Sequence, residues 1–129
     1  MESWKIESSK QTPFLSFNAD EHLLELKGEC YPENIAEFSA PLFSWLVQYL
    51  QQLGPEIFTI NIELTYFNSS SSKILLDLFD KLEEEVGERN KNIIVNWIYD
   101  VENDTAQEYG EEFQEDLEVL VFNLVQKAT

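Results

Sequence analysis

The sequence predicts an α/β fold, a mainly parallel mixed β-sheet joined to an N-terminal β-hairpin. Three observations carry this. Apolar segments of period two alternate with segments of period three to four, which is the sequence form of βαβ units. Two strand-like segments follow one another near the start with only a short turn between them. The chain has 129 residues with no internal repeat or linker, enough for one core and little more.

The elements follow in order. Residues 1–12 carry no sustained pattern and are expected to form a flexible tail, leaving 13–125 as the single domain. Phe14 to Phe17 alternates and reads as a first strand, ending in the turn Asn18-Ala19-Asp20. His22 to Glu29 reads as its hairpin partner. Ile35, Phe38, Leu42, Trp45, Leu46, Tyr49 and Leu53 then recur at helical spacing. Pro41 fits the first turn of a helix capped near Ser39, where its missing N–H costs nothing. A looser turn is expected over 33–38, and Gly54-Pro55 stops the helix.

Ile57 to Phe67 alternates with β-branched and aromatic residues, its inward phase ending on either Tyr66 or Phe67. Ile74, Leu75, Leu78, Phe79, Leu82 and Val86 make a second helical stripe closed by Gly87. Asn92 to Tyr99 is a strand, 105–116 an acidic helix, and Leu117 to Val125 a last strand. The predicted order is β-β-α-β-α-β-α-β, with right-handed crossovers.

Composition removes several functions. The chain has 25 acidic and 8 basic residues, a net charge of −17 that disfavours nucleic acid and anionic membrane surfaces as partners. No segment has the roughly 20 apolar residues needed to span a bilayer. The start has no secretory signal pattern, and the single cysteine, Cys30, excludes an internal disulfide. Together these point to a cytoplasmic protein without membrane insertion.

Conventional active-site chemistry has little material. His22 is the only histidine, and no P-loop, dinucleotide fingerprint or nucleophile elbow occurs. Asp100, Glu102, Asp104, Glu108 and Glu111 resemble a calcium loop, but its sixth position is Thr105 where glycine is needed for the sharp turn. An acidic helix start is the simpler reading. A metal-binding protein or enzyme built on carboxylates 100–111 is the alternative of another class. No cofactor, metal or catalytic residue is expected.

The serine run at 69–72 lies between a strand and a helix, where free N–H groups and the positive end of the helix dipole accept an oxygen or a phosphate. Capping by Ser69 or Ser70 accounts for one serine, not four. In open α/β sheets this end of the strands is also where ligands and partners bind.

GECYPEN at 28–34, SWLVQYL at 44–50, YFNSSSSK at 66–73 and NWIYD at 96–100 resemble the SiaC family, in the same order from about 13 to 123. Glu108, Tyr109, Gly110 and Glu111 also resemble that family. These are bacterial regulatory phosphoproteins with a STAS-like fold, related in architecture to anti-sigma factor antagonists. The resemblance implies a non-enzymatic protein switched by phosphorylation at the hydroxyl that directly follows the YxN of the motif, here Ser69, with Ser70 as fallback. In the wider antagonists the acceptor is the first serine of an Asp-Ser-Ser-Gly turn. Asn68-Ser69-Ser70-Ser71 overlays that turn and again selects Ser69.

Tyr66, Asn68, Ser70, Ser71 and Lys73, with Tyr31, Pro32, Glu33 and Asn34, are the expected setting or partner surface. Lys73 could reach back to a phosphate on Ser69. The family implies a GHKL-type serine/threonine kinase and a PP2C-type phosphatase as partners. The implied output partner is a diguanylate cyclase that controls biofilm growth; the alternative is an anti-sigma kinase bound by an antagonist.

Overall fold

The structure, a computed structural model, describes residues 2–128. Its elements are β1 (Trp4–Ile6), β2 (Phe14–Asn18), β3 (Leu23–Cys30), α1 (Ile35–Gln52), β4 (Ile57–Phe67), α2 (Ser69–Arg89), β5 (Asn92–Asp100), α3 (Asp104–Glu115) and β6 (Val121–Lys127). The strands form one sheet in sequence order, β1 to β6. β1, β2 and β3 pair antiparallel, and β3, β4, β5 and β6 pair parallel. Each parallel step advances one strand in the same direction through a helix. Right-handed crossovers then place all three helices on one face and leave the other face bare.

Burial follows this one-sided layering. Phe58, Ile60, Ile62 and Leu64 of β4 and Ile93, Val95, Trp97 and Tyr99 of β5 are buried under the helices. Their neighbours Thr59, Asn61 and Glu63, and Ile94, Asn96 and Ile98, lie on the bare face and are only half-buried. Leu42, Leu46, Tyr49 and Leu50 from α1 and Leu75, Leu78, Phe79 and Leu82 from α2 complete the core.

Several boundaries differ from the sequence reading, each for a local reason. Trp4–Ile6, within the stretch expected as a flexible tail, is an edge strand on β2. Trp4 stacks on Phe17 at 5.6 Å, and three residues are too few for alternation to be read. The helix expected to begin near Ser39 begins at Ile35, because Asn34 caps it by accepting from the N–H groups of Ala36 and Glu37. Ser39 is buried within the helix, and Pro41 is an interior residue on its exposed side. Water can there reach the carbonyl that the proline leaves unbonded.

The second helix runs past Gly87 to Arg89 and closes on Asn90, whose φ of 55° supplies the left-handed residue expected of glycine. His22, read as a strand residue, precedes β3 in a left-handed conformation with φ 55° and hydrogen-bonds the Tyr49 hydroxyl at 2.6 Å. The last strand begins at Val121 and not at Leu117. The Glu83 carboxylate on α2 accepts from the N–H groups of Glu118, Val119 and Leu120, which draws that segment onto the helix before the strand begins.

Candidate functional site

The C-terminal ends of β3, β4 and β5 meet the starts of the three helices, and all three helices are capped by asparagine. Asn34 caps α1, Asn68 caps α2 and Asn103 caps α3. At α2 the Asn68 side chain accepts from Ser71 N–H at 3.0 Å, and its carbonyl accepts from Ser72 N–H at 2.9 Å. The expected cap on Ser69 or Ser70 is therefore corrected. Asparagine caps as well as serine does, and Asn68 stands one residue earlier. Both hydroxyls are thereby left without a capping role.

Burial separates the four serines. Ser69 and Ser70 are exposed, and Ser72 is half-buried. Ser71 is 2% exposed, its hydroxyl turned inward against the Cys30 thiol without a hydrogen-bonding partner of good geometry. Burial pushes the Cys30 thiol above its ordinary value, offset in part by Ser71. That is the opposite of an activated thiolate. Ser69 lines a cleft of about 480 Å³ with Tyr66, Asn68, Asn103, Thr105 and Tyr109, and Ser70 lies outside it.

The cleft lies between two helix starts. The Asn103 side chain accepts from Ala106 N–H at 3.1 Å and donates to the Thr65 carbonyl at 3.2 Å, tying the α3 cap to the end of β4. Tyr109 packs edge-on to Phe67, with ring centroids 4.8 Å apart. Lys73 is exposed, one helical turn after Ser69, and forms no ion pair among the described residues.

A β-bulge sets the wall of this site. The β3–β4 register runs Gly28↔Leu64 and then Glu29↔Tyr66, so Thr65 is unmatched. Gly28 sits at φ 121°, open to glycine and strained for any other residue. The extra residue reverses the alternation. Phe67 enters the core, while Tyr66 faces out, 53% exposed, with Tyr31 edge-on at 5.5 Å. The choice that the sequence left between Tyr66 and Phe67 is thus made by the bulge.

The two sequence motifs converge here. Cys30 pairs with Phe67 at the strand ends, and Asn68 N–H donates to the Cys30 carbonyl at 3.3 Å. Tyr31 thereby stands beside Tyr66. Pro32, Glu33 and Asn34 form the next turn, where Asn34 is occupied as a cap and Glu33 is exposed. Asn103, Thr105 and Gly28 are site residues that sequence reasoning did not select. The signals were an asparagine opening a helical stretch and a glycine near a strand end. Among the described residues no three acidic, histidine or cysteine side chains converge on a point that could hold a metal ion. Asp100 instead accepts from Glu102 N–H at 2.8 Å.

A one-sided α/β domain presents this exposed strand–helix corner at the strand ends, the class of surface that ligands and partners engage in open α/β sheets. Comparison with known proteins makes the class specific. The family model for the SiaC family regulatory phosphoprotein matches residues 6–127, and the chain belongs to that family. An uncharacterized protein of Pseudomonas aeruginosa (strain UCBPP-PA14) is 30% identical over 116 residues, 90% of each chain. Apo-SiaC from Pseudomonas aeruginosa superposes with a TM-score of 0.83 at 26% identity, covering 99% of this chain and 100% of that one. A chain from the structure of the diguanylate cyclase SiaD in complex with its activator SiaC, also from Pseudomonas aeruginosa, gives 0.85 at 28% identity, covering 98% and 99%.

Proposed function

We propose that this protein is a non-enzymatic phosphorylation switch that docks its output partner at the β4–α2 corner and releases it when Ser69 is phosphorylated. The observation that carries the reading is the selection among the serines. Only Ser69 combines an exposed hydroxyl with a place in the cleft between the α2 and α3 caps. A kinase must reach its acceptor, and Ser71 at 2% exposure cannot be reached without unfolding the turn.

A phosphate on Ser69 adds about 1.5 to 2 negative charges and three acceptor oxygens. It falls on the first residue of α2, where the dipole and free N–H groups offset roughly 0.3 to 2 kcal/mol of that charge. Lys73 on the next turn supplies a cation for it. The fold is retained and the surface changes: a partner packed on Tyr66, Tyr31 and Ser69 meets new bulk and a dianion it must desolvate. A penalty of about 3 kcal/mol weakens such binding by roughly a hundredfold.

The family supports a GHKL-type kinase and a PP2C-type phosphatase as the enzymes that write and erase the mark in the cytoplasm. The likeness to SiaC bound to SiaD supports a diguanylate cyclase as the output partner, and hence control of cyclic diguanylate and biofilm formation. The test is phosphorylation by the cognate kinase followed by site mapping. Wild type and Ser70→Ala take up one phosphate on Ser69, and Ser69→Ala takes up none. Stoichiometric labelling of Ser69→Ala refutes the assignment. Recovery of an anti-sigma kinase instead of a cyclase from the native cell replaces the output half of the proposal.

A further inference from the structure

We propose that β6 is a self-complementary edge through which two copies of this chain pair antiparallel, joining their six-stranded sheets into one. β6 is the last strand of the sheet, and among the described residues no other strand lies on its outer edge. The Lys127 carbonyl bonds inward to Val101 N–H, so the odd-numbered residues of the strand direct their backbone groups toward β5. Backbone groups alternate sides along a strand, which leaves those of Phe122, Leu124 and Gln126 directed outward. Unpaired edges of this kind are templates for strand addition.

The side chains say which strand fits. Val121 and Val125 stand on the bare face of the sheet, 49% and 38% exposed, on either side of Asn123. Val-x-Asn-x-Val reads the same in both directions. An antiparallel copy with its two-fold axis at residue 123 sets Val121 against Val125, Asn123 against Asn123, and Phe122 against Leu124. Phe122 and Leu124 are outward-directed residues, and they then form the hydrogen-bonded pairs that this geometry requires.

Polarity completes the match. Asn96 Nδ2 donates to Asn61 Oδ1 at 2.9 Å, and Asn123 Nδ2 donates to Asn96 Oδ1 at 3.0 Å. This amide ladder crosses the bare face and ends at the edge, where among the described residues Asn123 Oδ1 has no partner and Nδ2 retains a second hydrogen. Two such amides facing each other satisfy both.

Within the strand itself charge does not oppose pairing: residues 119–127 contain no acidic side chain, although the chain has 25 and the acidic helix α3 lies alongside. In this register Lys127, already ion-paired with Glu63 of its own chain, lies opposite Val119 of the second copy. The edge has one guard: Gln114 Nε2 donates to the Phe122 carbonyl at 2.8 Å and must swing aside. Because the two copies run in opposite directions, their β4–α2 corners lie at opposite ends of the pair, both open. The inference is independent of the phosphorylation switch.

Sedimentation equilibrium and cysteine cross-linking test it. The wild-type mass rises with concentration toward twice that of the chain, Gln114→Ala raises the dimer fraction, and Val121→Lys, at an exposed side chain, restores the monomer with an unchanged circular dichroism spectrum. Facing residues of a non-hydrogen-bonded pair have Cα atoms about 4.5 Å apart, within disulfide range. Asn123→Cys therefore cross-links to itself, while Val121→Cys and Val125→Cys cross-link only when mixed. The only native cysteine, Cys30, is buried and does not interfere. A monomer at every concentration overturns the proposal, as does a Val121→Lys dimer or self-linking of Val125→Cys as fast as Asn123→Cys.

Discussion

Ser69 and Ser71 are two residues apart in the run, yet α2 turns one hydroxyl to water and the other into the core. Their substitutions should therefore part company. Ser71→Ala removes a buried hydroxyl without a good partner, so melting should hold or rise slightly and phosphorylation should be unaffected. Either a fall of several degrees or loss of labelling would contradict that. Gly28 is the other decisive residue. Gly28→Val forces a branched side chain to φ 121° and should cost about 1–3 kcal/mol, read by chemical denaturation. It should also weaken partner binding by disturbing the bulge that turns Tyr66 outward. The sequence carried the resemblance that selects Ser69. It did not place the bulge, because a register shift depends on two strands at once; the alternation of one strand left only the choice between Tyr66 and Phe67 open.

At the scale of elements, the strands and helices were legible in order apart from β1, and the capping was not. Pro41 suggested a late helix start and Gly87 an early stop, while asparagines at 34, 68 and 90 set the real ends. The β6 boundary moved because of Glu83, a contact 35 residues away in sequence from Glu118. Glu83 is partly buried, which opposes its charge, yet three backbone N–H bonds hold its carboxyl below the ordinary carboxylate value. A depressed folded pKa contributes stability that is full above the unfolded value and is lost as pH falls through the folded one. Glu83→Gln should therefore lower stability by about 1–3 kcal/mol near neutral pH, with the gap to wild type closing in acid. An undiminished gap at low pH would count against this anchor. Gly110 fixes α3 on the sheet: a Cβ there would lie 2.5 Å from the Trp97 ring and 2.7 Å from Leu124. A helical Gly→Ala change ordinarily stabilises, by roughly 0.5–1 kcal/mol. Here the contact reverses the sign, and Gly110→Ala should lower the melting temperature.

Over the whole molecule, three helices on one face leave a bare sheet on the other and bring every strand–helix corner to one end. The order of elements and the handedness of crossovers were readable in the sequence apart from the short β1, but not the strand order that completes this arrangement. The arrangement lets one surface be altered chemically while the core beneath stays as it is. A switch at this corner depends on that separation. The most direct measurement is titration of a diguanylate cyclase from the same cell with wild-type, Ser69→Glu and kinase-phosphorylated protein, with melting curves of all three taken alongside. The prediction is tight binding by wild type and a loss of about a hundredfold or more on modification, at melting temperatures within a few degrees. Equal affinity of all three forms, or loss of binding only together with loss of the fold, would contradict it.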